Sequence, residues 1–113
     1  MYTIYTDGSY KPTTGQGGYA SIIIQDGEVQ TILTQGFINT TNNRMELLGL
    51  LSALKHFDEP IKAEVFSDSS YVVNSITQGH YKTWLKNKDE SKKNLDIWDE
   101  IADWLAFHDI TMH

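Results

Sequence analysis

Cysteine is absent from this 113-residue chain, which excludes disulfides and thiolate metal sites. No apolar run is long enough to cross a bilayer, and the N-terminus lacks a signal-peptide pattern. Basic charge is scarce as well. Nine Lys and Arg against fifteen Asp and Glu leave a net charge of −6, which argues against a general nucleic-acid binder. Internal repeats and low-complexity linkers are missing too. These absences point to a cytoplasmic chain with no membrane partner and a single domain over residues 1–113.

What is present supports a modest core. Hydrophobic residues make up 40% of the chain, and the aromatic share of 12% exceeds what a disordered chain would carry. The few cations are clustered: five of the nine basic residues (Lys82, Lys86, Lys88, Lys92 and Lys93) share one short stretch.

Patterning gives the element order. "YTIYTDG" alternates β-prone residues and ends in a turn signal, and "KPTTGQGG" is a Gly-rich loop. "YASIII" and "VQTILTQGF" read as strands joined at "QDGE", where Asp-Gly marks a hairpin. A helix follows from about Asn43 to Phe57, with Pro60 just beyond. "AEVFSD" is a fourth strand, and "SSYVVNSITQG" a short helix with a Ser cap and a closing Gly. The Lys-rich stretch reads as a loop. "NLDIWDEIADWLAF" is a second long helix, with Trp98 and Trp104 in the core, and "HDITMH" begins a last strand. The fold class is α/β: a mixed five-stranded sheet, three strands in antiparallel meander, with helices packed on it. The strands flanking the first helix should run parallel through a right-handed crossover.

Within "TTNNRMELLGLLSAL", Glu46 falls in the first turn of the predicted helix. At 100° per residue, Leu47, Leu50, Leu51, Ala53, Leu54 and Phe57 centre about 60° from it, while Ser52, Lys55 and His56 fall on the far side. A carboxylate on the flank of a core-facing arc needs a cation, a donor or a metal. Asp7 in "TDGS" and Asp68 in "SDSS" stand at the ends of the first and fourth strands. In open α/β sheets ligands gather at the carboxyl ends of strands. Each acid alone has a plainer role, as a turn, a helix cap or a dipole partner. Converging, the three would repel without protons or cations, and hard oxygen ligands suit magnesium or manganese. Two such ions could activate a water and stabilise a leaving oxygen in phosphodiester cleavage.

In order and spacing, "TDGS", "GQGGYASII", "TTNNRMELLGLLSAL" and "SDSSYV" resemble the first three motifs of type 1 ribonuclease H, the bacterial-type ribonuclease HI. The likeness continues through "KKNLDIW" and "HDITMH" and covers nearly the whole chain. It implies the ribonuclease H-like fold and endonucleolytic cleavage of the RNA strand of RNA–DNA hybrids with two Mg2+ ions. It also implies Asp7, Glu46 and Asp68 as the first three of four catalytic carboxylates. Asn42 and Asn43, with Ser9 beside Asp7, are similar to residues that read ribose hydroxyls. Thr41 and Asn94 match a phosphate pocket for the DNA strand, Asn94 also reading as the cap of the second long helix, while Asn39 stands where some relatives carry Arg. "GHYKTWLKNKDESKKN" looks like a short basic protrusion, in which Lys86 and its neighbours would meet phosphates and Tyr81 and Trp84 deoxyribose.

The chain stops at His113, before the loop His and the C-terminal helix that the resemblance implies, and Asp99, Asp103 and Asp109 do not match the fourth carboxylate. The sequence is either a fragment or naturally short, and by the resemblance the absence of the fourth carboxylate would weaken cleavage. Without that helix, apolar sheet surface would be bare, and self-association or a partner chain would cover it. Two other readings compete. One is a non-catalytic module of the same fold that holds a hybrid or a protein; intact Asp7, Glu46 and Asp68 speak against it. The other is a magnesium-dependent phospho-acceptor domain, which the opening hairpins do not fit.

Overall fold

A computed structural model describes residues 1–89 and 91–113. The elements run β1 (Tyr2–Lys11), β2 (Gln16–Gln25), β3 (Glu28–Phe37), α1 (Asn42–Leu54), β4 (Lys62–Ser67), α2 (Ser70–Thr77), α3 (His80–Asn87), α4 (Leu95–Phe107) and β5 (Asp109–Met112). The sheet order is β3-β2-β1-β4-β5. β1–β2 and β2–β3 pair antiparallel, and β1–β4 and β4–β5 parallel.

Local chemistry sets these boundaries. Asp26 and Gly27 both have positive φ (53° and 80°), as the tight turn between β2 and β3 requires. Thr41 caps α1, its hydroxyl accepting from the Arg44 N–H at 3.2 Å, and Ser69 caps α2 on Val72 N–H at 3.2 Å. Because α1 opens at Asn42 and closes at Leu54, Glu46 lies in its second turn rather than its first, and Phe57 lies outside it.

The core is built on one face of the sheet. Ile4, Ile23, Ala63, Val65 and Met112 meet Leu47, Leu50, Leu51, Ala53 and Leu54 of α1 and Ile97, Trp98 and Ile101 of α4. α1 is buried on nearly every side. Ser52, placed by the helical pattern opposite the apolar arc, is buried too; its hydroxyl donates to Gly49 O at 2.7 Å and sits 3.3 Å from Ser21 Oγ. His108 closes the bottom of the core, with Nδ1 accepting from Ile61 N–H at 3.1 Å and Nε2 donating to Leu54 O at 2.8 Å.

One stretch departs from expectation. Residues 80–87, read from sequence as a loop, form α3. Left-handed Gly79 and Lys88 delimit it, and Tyr81, Trp84 and Leu85 supply an apolar stripe at helical spacing against the core. The density of lysines conceals that short period.

The opposite face of the sheet carries a second apolar row. Ile32 pairs with Ile22, Ile22 with Tyr5, and Tyr5 with Phe66. His113 extends the row: its ring stacks on Phe66 with centroids 4.7 Å apart. Tyr5 remains 47% and Ile32 58% exposed.

Candidate active site

The parallel pairing of β1 with β4 runs from Tyr2–Ala63 to Thr6–Ser67 and stops. Asp7 and Asp68 are the next residues along the chain, Asp7 still within β1 and Asp68 just past the end of β4. Asp7 is therefore not at the end of its strand, as the sequence pattern suggested; β1 continues to Lys11 along β2, and Asp7 marks where it leaves β4. Asp7, Glu46 and Asp68 line one cleft of about 410 Å³, together with Gly8, Asn42, Asn43, Ser69, Ser70 and Tyr71.

Glu46 is 6% exposed. Its Oε1 accepts from the Gly8 N–H at 2.6 Å, and its Oε2 is buried with no hydrogen-bond partner. Burial is the main force raising its carboxyl above the ordinary range. The Gly8 N–H opposes that shift, the charges of Asp7 and then Asp68 add to it, and the Ser67 hydroxyl offsets a smaller part. Only glycine fits at position 8: an added Cβ would stand 2.7 Å from Glu46 N and 2.8 Å from Oε1.

An all-oxygen donor set with one buried, unpartnered carboxylate oxygen fits a hard divalent cation. The three acids share the cleft without closing on one point. Among the described residues, no three carboxylate or imidazole groups form a ready-made metal cage.

A larger cleft of about 760 Å³ adjoins the first and shares Asn42, Asn43, Ser70 and Tyr71 with it. Thr41, Asn94, Trp84, His80, Lys92 and Lys93 also line it. Here the N-termini of α1 and α4 meet. Asn94 holds the capping position of α4 in the left-handed region (φ 65°), but its side chain does not cap, contrary to the expectation from sequence. Its Oδ1 turns instead to Arg44 Nη1 at 3.2 Å, and the Arg44 guanidinium forks onto Asp96 at 2.8 Å and 3.3 Å. That fork holds the Asp96 carboxyl below its usual range.

The remaining sequence candidates scatter. Trp84 lines the larger cleft, its ring 5.5 Å below Lys92 Nζ. Tyr81 lines neither cleft; it is 7% exposed, stacked on Trp98 at 5.6 Å, and anchors α3. Ser9 is exposed on β1 opposite Gly18. Lys86 lies in the last turn of α3. Sequence reasoning missed Gly8, Arg44 and Tyr71. Gly8 and Arg44 stood inside quoted motifs, but nothing in their spacing gave the backbone amide or the guanidinium a job. Tyr71 links the two clefts, its hydroxyl accepting from Trp98 Nε1 at 3.0 Å.

The family model for RNase H matches residues 1–113. The chain belongs to the ribonuclease H family. It is 40% identical to the ribonuclease H of Chlorobaculum parvum over 116 residues, spanning 98% of this chain and 79% of that one. It is 35% identical to the ribonuclease HI of Synechocystis sp. over 114 residues, spanning 96% and 71%. Among solved structures it shares the ribonuclease H fold with LC9-RNase H1 (TM-score 0.78, 22% identity, 99% of this chain and 61% of that one). It also superposes on LC11-RNase H1 solved in complex with RNA/DNA hybrid (TM-score 0.75, 22% identity, 100% and 85%). No helix among the described residues is long and apolar enough to cross a membrane.

Proposed function

We propose that this chain hydrolyses the RNA strand of RNA–DNA hybrids endonucleolytically, leaving a 3′-hydroxyl and a 5′-phosphate, with Asp7, Glu46 and Asp68 as its acidic centre. The observation that carries the reading is the shared cleft, where two aspartates just past a parallel strand pair face a buried glutamate from the helix above. These three residues would hold Mg2+ (two ions, with Mn2+ as a substitute), which when bound supplies water activation and charge neutralisation at the leaving oxygen.

The chain's own groups do the rest. Gly8 fixes Glu46 by its Oε1, leaving Oε2 for a cation. Asn42 and Asn43, at the rim between the clefts, would recognise ribose hydroxyls by hydrogen bonds. Thr41 and Asn94 would seat a DNA-strand phosphate at paired helix N-termini. Lys86, Lys92 and Lys93 would add sequence-independent attraction, and Trp84 a ring against deoxyribose. The apolar row from Ile32 to His113 would be covered by a partner chain or a second copy. The setting proposed for this activity is the cytoplasm.

The test is a labelled hybrid incubated with the protein in magnesium. The reading expects RNA-strand cuts in wild type and none in Asp68→Asn. Cleavage that survives Asp68→Asn overturns the acidic centre. Tight hybrid binding without any cleavage by wild type would leave a binding module instead.

A further inference from the structure

We infer that Arg44 is a positioning residue that makes Thr41 and Asn94 a donor-only pocket for a phosphate; this rests on the hybrid-binding reading above. Threonine and asparagine side chains each carry donors and acceptors. Left to rotate, they would suit a cation as well as an anion. Position 44 removes the ambiguity from both sides, at Thr41 by its backbone amide and at Asn94 by the arginine side chain itself. Its backbone N–H occupies Thr41 Oγ1 at 3.2 Å, which leaves the Thr41 O–H free to donate. Its Nη1 occupies Asn94 Oδ1 at 3.2 Å, which turns the two Nδ2 hydrogens the other way.

Both residues line the larger cleft, and Arg44 is not among the residues that line it. The guanidinium is instead neutralised by Asp96 through contacts at 2.8 Å and 3.3 Å. Arg44 therefore works through its neighbours, and the charge for the phosphate comes from Lys92 and Lys93 in the same cleft. The left-handed backbone of Asn94 (φ 65°) is part of the device, since it lifts the side chain off the α4 amides and toward Arg44.

The experiment measures affinity for a short fluorescent RNA–DNA hybrid in calcium, where binding can be read without turnover, across a salt series. Arg44→Gln is expected to weaken binding about fivefold, the scale of one lost hydrogen bond. Asn94→Ala should do the same, and the double variant should be no weaker than Asn94→Ala alone. Thr41→Ala should add to Arg44→Gln, because the backbone N–H survives the side-chain change. The slope of log affinity on log salt should not move.

Additive losses in Arg44→Gln/Asn94→Ala overturn the positioning role. So does a slope reduced by about 0.7–0.9, the signature of a lost direct phosphate contact. If Thr41→Ala and Asn94→Ala bind as wild type does, the pocket itself is wrong and this inference falls with it, while the acidic centre stands or falls by Asp68→Asn. Arg44→Lys, which keeps the charge but not the fork, provides a second variant should Arg44→Gln fold poorly. It is expected to bind weakly too, and wild-type affinity in it overturns the proposal.

Discussion

The Gly8 amide donates to Glu46 Oε1 at 2.6 Å across 38 residues of sequence, and no larger residue can replace that glycine. Gly8→Ala is therefore expected to cost about 2–3 kcal/mol, the scale of overpacking in a tight interior. Hybrid cleavage should fall with it, because relief of the clash displaces the Glu46 carboxylate. Urea titration beside a cleavage assay checks both.

Glu46→Gln should stabilise the metal-free protein at neutral pH while abolishing cleavage. The amide oxygen can still accept from Gly8, and the buried charge beside Asp7 and Asp68 is gone. The sign follows from linkage. The folded carboxyl titrates above its unfolded value, so between the two the native state holds more protons, and stability falls as pH rises through that window. The gain in melting temperature over wild type, measured in chelator, should be present at pH 7. It should vanish below the unfolded glutamate range, where both proteins are neutral at this position.

His108 joins the end of α1 to the start of β4 through both ring nitrogens. His108→Leu leaves the Ile61 N–H and the Leu54 carbonyl without partners, for an expected loss of about 2–4 kcal/mol. Cleavage per folded molecule should stay at the wild-type level, because neither cleft includes His108. Chemical denaturation and an assay at low temperature separate the two effects.

The bare apolar row predicts dye binding and self-adhesion. Tyr5→Ser, at a site already 47% exposed, should change stability by less than about 1 kcal/mol while lowering binding of an apolar fluorophore and raising solubility. Unchanged fluorophore binding would mean the row is already covered.

Part of the site is legible in the sequence. The 100° helical step puts Glu46 beside the apolar arc, and Glu46 is 6% exposed; the step does not discriminate further, since Ser52 on the far side is buried as well. The Asp-Gly turn, the Ser69 cap and the parallel β1–β4 pairing also follow from local chemistry and crossover rules. What stayed hidden depended on contacts far apart in sequence. Asn94 reads as a cap because asparagine favours caps; only Arg44, 50 residues away, shows why its side chain turns elsewhere. Tyr81 reads as a surface aromatic among lysines until α3 folds and presses it on Trp98. Glu46 reads as an acid in want of a partner, and only the meeting of α1 with β1 shows that the Gly8 amide is one.

The strand order has a kinetic consequence. Residues of β1 meet β4 only across about sixty intervening residues, as Tyr2 does with Ala63, whereas β1–β2–β3 can zip from adjacent hairpins. Loop closure over such a span is slow relative to hairpin formation. The acidic cleft sits at that last seam, so cation affinity should appear late in refolding, after most sheet signal has returned. Metal binding would then report completion of the native topology rather than its onset.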